Sequence, residues 1–239
     1  MIEVKNLNKA FGKLKALDNI TLSLQKGQCV ALLGPNGCGK TTLIKTILGM
    51  VMPDSGAIEF RGRSIFGHWQ YRSQVGYMPQ IGRYPENMTI AHVFEMMKDI
   101  RKDGGKALDE TLVRSFDLDR LMQKKMHTLS GGTRQKVSAA LAFLFDPDVL
   151  ILDEPTAGLD PLSAEKLKDK IVLEKDKGKL IVITSHVLSE LDDLISEVFY
   201  MQDGQIAFHK ALAGLKEATG EEKLSKAVPK FLMSQSRPV

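Results

Sequence analysis

The stretch Gly34-Pro35-Asn36-Gly37-Cys38-Gly39-Lys40-Thr41 constrains this chain more than any other. It follows CVALL, a short apolar run that reads as a buried strand. It precedes TTLIKTILGM, which reads as a helix closed by Gly49 and Pro53. A glycine-rich turn in that context, ending in Lys-Thr, matches G-x-x-x-x-G-K-[ST] in full. The mechanics explain the residue types. Glycines let backbone amides wrap phosphate oxygens without a clashing Cβ. Lys40 sets a point charge against the β- and γ-phosphates, and the Thr41 hydroxyl is a ligand for Mg²⁺. Cys38 reads as a small, tolerant position within the loop, and Thr42 closes it. A phosphate cradle of this kind belongs to an α/β core.

Such a cradle needs a second metal anchor, and VLILDEP supplies one. It reads as a buried strand ending in carboxylates. Asp153 is placed to support the Mg²⁺ shell. Glu154, next to it, is a candidate general base that polarises the attacking water.

IEVKNL, ITLSL and GAIEF read as strands near the start, and KLIVITS as a strand after VLILDEP. VFYMQDGQIAF reads as a hairpin turning at Asp203-Gly204. SAEKLKDKIVLEKDK and HVLSELDDLI read as helices. Between about 81 and 136 the pattern is helical, through NMTIAHVFEMMKDIRKD and ALDETLVRSFDLDRLMQ, and rich in methionine. The expected fold is a mostly parallel α/β sheet with an antiparallel β edge and a helical insert. The tail from Ala211 reads as a short helix with a frayed end.

At 43% apolar and 26% charged residues the chain can bury a sizeable core. A net charge of +4 is too mild for a dedicated nucleic-acid binder. Two cysteines nine positions apart, without an export signal, give no disulfide framework. No apolar run is long enough to cross a bilayer. The reading is a soluble, cytoplasmic chain whose membrane role, if it has one, runs through a partner.

Leu129-Ser130-Gly131-Gly132-Thr133-Arg134-Gln135-Lys136 poses a puzzle. Ser130 is a good N-cap, and the turn opens a helix whose amides suit an anion. Yet it lacks a lysine to hold a phosphate alone, and the chain already has a better cradle. With the loop at 34–41 and VLILDE in this order, the chain resembles the nucleotide-binding subunit of an ABC transporter, over essentially 2–215, with 216–239 as a tail. The resemblance implies that LSGGT is a signature loop. Ser130, Gly131 and Gly132 would cap the γ-phosphate of ATP held by a second copy or a paired subunit. Thr133 departs from the family, which most often has Gln there.

The resemblance carries further positions. Gln80, in VGYMPQ, resembles the glutamine that meets Mg²⁺ or water and couples the insert to the nucleotide. Asp160, in AGLDP, resembles the aspartate at the subunit junction and is also a good helix cap. His186 resembles the histidine that reaches the γ-phosphate. Phe11, in NKAFG, matches the aromatic that stacks on adenine. The implied protein is a homodimer or paired ATPase, using ATP and Mg²⁺, on the inner face of the cell membrane. The insert would dock membrane-spanning transporter subunits. The alternative is a soluble switch of the same family acting on a ribosome or another assembly. YMPQIGRYPENMTI and LSGGTRQK are similar to subunits serving copper-enzyme maturation in nitrous oxide respiration.

Overall fold

The computed structural model describes residues 1–101 and 107–235. The chain starts with two long strands, β1 (Ile2–Phe11) and β2 (Leu14–Leu24), that pair antiparallel. It then enters β3 (Cys29–Leu33), the 34–39 loop and helix α1 (Lys40–Ile47). Strand β4 (Ser55–Phe60) returns to β1 and β5 (Arg63–Ser64) pairs with β4, giving a four-stranded antiparallel sheet in the order β2-β1-β4-β5.

The second sheet holds the centre. Its strands are β6 (Val75–Met78), β7 (Val149–Asp153), β8 (Leu180–Thr184), β9 (Glu197–Gln202) and β10 (Gln205–Ala211), with β3 among them. The order is β10-β9-β3-β8-β7-β6. All neighbours run parallel except β10, the antiparallel edge. Every residue of β3, β7 and β8 is buried, as expected where both faces are covered. Cys29, Ala31 and Leu33 face one apolar cluster, while Val30 and Leu32 face the other. The second cluster fills the space between the two sheets and around α1.

The insert supplies α2 (Ile90–Arg101) and α3 (Thr111–Ser115), and then α4 (Gly131–Phe143), which runs on into the core. Ile90, Val93 and Phe94 form the buried stripe of α2. Asp109, just before α3, is tied to Lys170 of α5 (Pro161–Asp176), and Lys170 pairs with Glu174 at 2.7 Å. The end of the helix expected from NMTIAHVFEMMKDIRKD lies outside the described residues, as does the expected frayed terminus. Among the described residues, no helix is long and apolar enough to cross a membrane.

Three local readings change. HVLSELDDLI forms a single 3₁₀ turn, Leu188–Glu190, in place of a helix. The Ser185 hydroxyl accepts the Val187 amide and turns the chain at once. Leu191, Leu194 and Ile195 still bury, but Asp192 accepts from the Leu224 amide and pairs with Lys216. The apolar spacing was helical while the side-chain bonds favoured turns. The second change is β6, a short strand that the sequence pattern does not mark. The third is the tail, which forms α6 (Leu212–Thr219) and α7 (Leu224–Gln235). Residue 215 lies inside α6, and Leu224, Ala227, Val228 and Phe231 bury into the cluster that holds Ala31.

Candidate functional site

Because β3, β8, β7 and β6 are parallel, their C-terminal ends share one sheet edge. That is where open α/β sheets place ligands. From these ends emerge the 34–39 loop, His186, Asp153 with Glu154, and Gln80.

The loop is shaped by backbone demands. Gly34 has φ 144°, and a Cβ there would lie 2.1 Å from the Met201 carbonyl oxygen. Only glycine fits. Lys40 donates to the carbonyls of Gly34 at 2.8 Å and Pro35 at 3.0 Å, so its ammonium sits over the loop. Pro35, Asn36, Gly37 and Thr41 are exposed, Thr42 is half-buried, and Cys38 and Gly39 are buried. The β9–β10 turn ties the loop to β2: the Gly204 amide donates to the Cys38 carbonyl, and the Gly204 carbonyl accepts from the Asp18 amide. Phe11 stands half-exposed at the tip of the β1–β2 hairpin, with the Lys9 ammonium 5.4 Å from its ring centroid. Gly34→Ala is expected to cost about 2 kcal/mol or more of stability and to abolish nucleotide binding. Thermal unfolding and equilibrium binding of a fluorescent ATP analogue check both.

Asp153 is buried at the end of β7 and accepts the Thr184 hydroxyl at 2.5 Å. Its charge is felt locally: burial, and then the Asp153 carboxylate, push the Tyr77 hydroxyl up to about 12. Glu154 has a left-handed φ of 50°. Its amide is held by Thr184, at the carbonyl (3.1 Å) and at the hydroxyl (3.0 Å). A non-glycine residue in that region is strained and persists only when its surroundings fix it. The Glu154 side chain faces His186, whose Nε2 lies 2.9 Å from Glu154 Oε1.

The signature turn lies elsewhere. Ser130 caps α4, its hydroxyl accepting the Thr133 amide at 3.2 Å and meeting the Thr133 hydroxyl at 2.9 Å. Gly131 and Gly132 line a cleft of about 660 Å³ together with Gln80, Gln135 and Gly158. None of the residues 34–41 lines that cleft. Gly132 packs so closely that a Cβ would come 2.8 Å from the Gly158 carbonyl oxygen. Asp160 caps α5: one carboxylate oxygen accepts the Ser163 amide at 2.9 Å, and the other accepts the Ser163 hydroxyl at 2.7 Å and the Lys136 ammonium at 2.8 Å. Lys136 first, then Ser163, hold its carboxyl far below the usual range.

Thr184 and Lys136 escaped sequence reading. A hydroxyl at the end of the LIVIT strand was the available signal for Thr184. Nothing in the sequence paired Lys136 with Asp160.

The donor set suits Mg²⁺. Thr41, Asp153 and Gln80 offer hard oxygens, and Mg²⁺ sites of this kind use one or two carboxylates plus substrate phosphates. Among the described residues there is no cluster of three or more His, Cys, Asp or Glu that would hold a metal without such help.

A parallel sheet with this loop, a buried Asp153 and a Glu154–His186 pair at one edge defines a P-loop nucleoside triphosphatase. The family model described as ABC transporter matches residues 17–157. The chain is 32% identical to the Nod factor export ATP-binding protein I of Ralstonia nicotianae, over 86% of this chain and 65% of that protein. It is 30% identical to the xylose/arabinose import ATP-binding protein XylG of Sulfolobus acidocaldarius, over 98% and 96%. A solved ATP-binding subunit of an ABC transporter superposes with a TM-score of 0.88 at 28% identity, covering 97% of this chain and 99% of its own. The chain belongs to the ABC transporter family as an ATP-binding subunit, and it is an ATPase.

Proposed function

We propose that two copies of this chain, or one copy and a paired subunit, close around two ATP-Mg²⁺. The separation of the two glycine loops carries this reading. The loop at 34–41 holds a lysine and sits at the C-terminal ends of the strands, while Gly131 and Gly132 line a different cleft. A cap without its own cradle is explained by a nucleotide bound on another copy.

Each site would combine Phe11, the 34–42 loop, Gln80, Asp153, Glu154 and His186 of one chain with Ser130, Gly131 and Gly132 of the other. Phe11 offers a π-face to adenine, and Lys40 neutralises the β- and γ-phosphates. Thr41, Gln80 and Asp153 would hold Mg²⁺, which supplies charge neutralisation to the phosphates when bound. Glu154 takes a proton from the attacking water, and His186 orients Glu154 and faces the γ-phosphate. Asp160 lies at the seam, where its pairing with Lys136 links the signature helix to the loop after Glu154.

The chain would act as the motor of a transporter, peripheral on the inner membrane face. A groove of about 360 Å³ between the insert and the sheet, lined by Met50, Pro79, Tyr84, Met97 and Phe145, supports docking of a membrane-spanning partner there. The 1–215 unit would be the ATPase and 216–239 a tail, of which Leu224, Ala227, Val228 and Phe231 pack into its core. The segments at 77–90 and 129–136 support a place in copper-enzyme maturation for nitrous oxide respiration, with the cargo path in the partner.

Co-purification of the tagged chain from detergent-solubilised native membranes tests the proposal. A stoichiometric multi-span protein is expected, and its identity names the cargo class. Recovery with ribosomes or soluble assemblies alone would overturn the transporter role.

A further inference from the structure

Glu154 and His186 sit on different loops, after β7 and after β8, so something must fix their separation. Near the sheet, Thr184 does so by holding the Glu154 amide. Past Thr184 the chain leaves the sheet, and Ser185 turns it. A second rung appears further out: the Thr156 hydroxyl donates to Glu190 Oε2 at 2.5 Å in a partly buried setting. Thr156 lies two residues beyond Glu154, and Glu190 four beyond His186. Behind this rung, Pro155, Leu191 and Leu194 are buried and line the same small apolar recess as Thr156 and Glu190. The recess packs both loops together beside the bond. Hydrogen bonds to an ionised carboxylate are about twice as strong as neutral ones.

We infer that Glu190, clamped by Thr156, is a positioning residue for hydrolysis: it holds the loop of His186 against the loop of Glu154. The inference rests on the reading of Glu154 and His186 as the reacting pair. Neither Thr156 nor Glu190 needs to touch the nucleotide. The clamp acts on the geometry of the step after binding, so it belongs in kcat rather than in KM. A small misplacement at a catalytic pair is costly, with about 1 Å able to remove a hundredfold in rate.

The test is ATP hydrolysis by the purified full chain, with kcat and KM resolved. Thr156→Val removes the hydroxyl at nearly constant volume. It is expected to lower kcat about tenfold and leave KM within about twofold. Thr156→Ser, which keeps the hydroxyl, stays near wild type. Thr156→Val combined with Glu190→Ala falls no further than the lower single variant, because both remove one bond. A kcat for Thr156→Val within about twofold of wild type overturns the clamp. So does Thr156→Ser as slow as Thr156→Val, or a double variant whose losses multiply. Where Thr156→Val fails to fold, Glu190→Ala and Glu190→Gln decide: Gln keeps an acceptor and recovers most of the rate lost with Ala, and equal losses overturn the clamp. Near-normal turnover in Glu154→Gln would instead remove the reading beneath it.

Discussion

Glu154→Gln is expected to slow ATP hydrolysis by about 10²–10⁴-fold while ATP still binds. The loss follows from what the substitution keeps. Gln has the same shape, so the Thr184 bonds that hold the left-handed backbone at Glu154 survive. Its amide oxygen still faces His186, 2.9 Å away in the wild type. What disappears is a basic carboxylate able to take a proton from water. On the proposed reading a negative charge near the phosphates goes as well, which is expected to ease nucleotide binding. With hydrolysis stopped, the proposed ATP-bound dimer is expected to accumulate. Sedimentation of the variant with ATP and Mg²⁺ is expected to show a species of twice the monomer mass. With ADP the species reverts to monomer. Turnover above about a tenth of wild type would exclude Glu154 as the base.

The contrast between Glu154 and its supports shows what the sequence could say. The 34–41 loop and Asp153-Glu154 were legible because their chemistry demands particular residue types at fixed spacing beside a strand. The parallel order was legible because strands alternate with helices. The segment after His186 was misread for the opposite reason. Leu188, Leu191 and Leu194 have helical spacing, but Ser185 and Asp192 are used in bonds to Val187, Lys216 and Leu224. The Ser185 bond is a local turn that competes with the helix, whereas the bonds of Asp192 join residues up to 32 positions apart, and no local pattern reports those. The same holds for Lys136 with Asp160 and Thr156 with Glu190. Asp160 was legible as a helix cap, but its ammonium partner was not. Phe11 was legible through the resemblance as an aromatic for adenine, while its exposure at a hairpin tip needed the fold.

Lys40→Ala is expected to act at the earlier step and to remove both binding and turnover. Lys40 begins α1, and its ammonium is held over the loop by the Gly34 and Pro35 carbonyls. On the proposed reading, those contacts hold a cation ready for the β- and γ-phosphates. Charge-assisted bonds to phosphate are the strong ones, and losing one inside a backbone cradle is expected to weaken ATP binding by about a hundredfold, or about 2.7 kcal/mol. The fold is expected to survive, because Lys40 is only partly buried and Pro35 faces solvent, where water replaces the lost donor. Unfolding midpoints are therefore expected to stay close to wild type, unlike those of Gly34→Ala, where a Cβ meets the Met201 carbonyl. Arginine is not a repair: its planar fork does not reproduce a compact point charge within a loop this tight. Titration with a fluorescent ATP analogue measures the loss directly. Binding within about threefold of wild type would move the phosphate contact away from Lys40. Since Glu154→Gln keeps ATP and Lys40→Ala sheds it, only the first variant should form the ATP-bound dimer. If Lys40→Ala dimerised as well, closure would not depend on a nucleotide seated in the 34–41 loop.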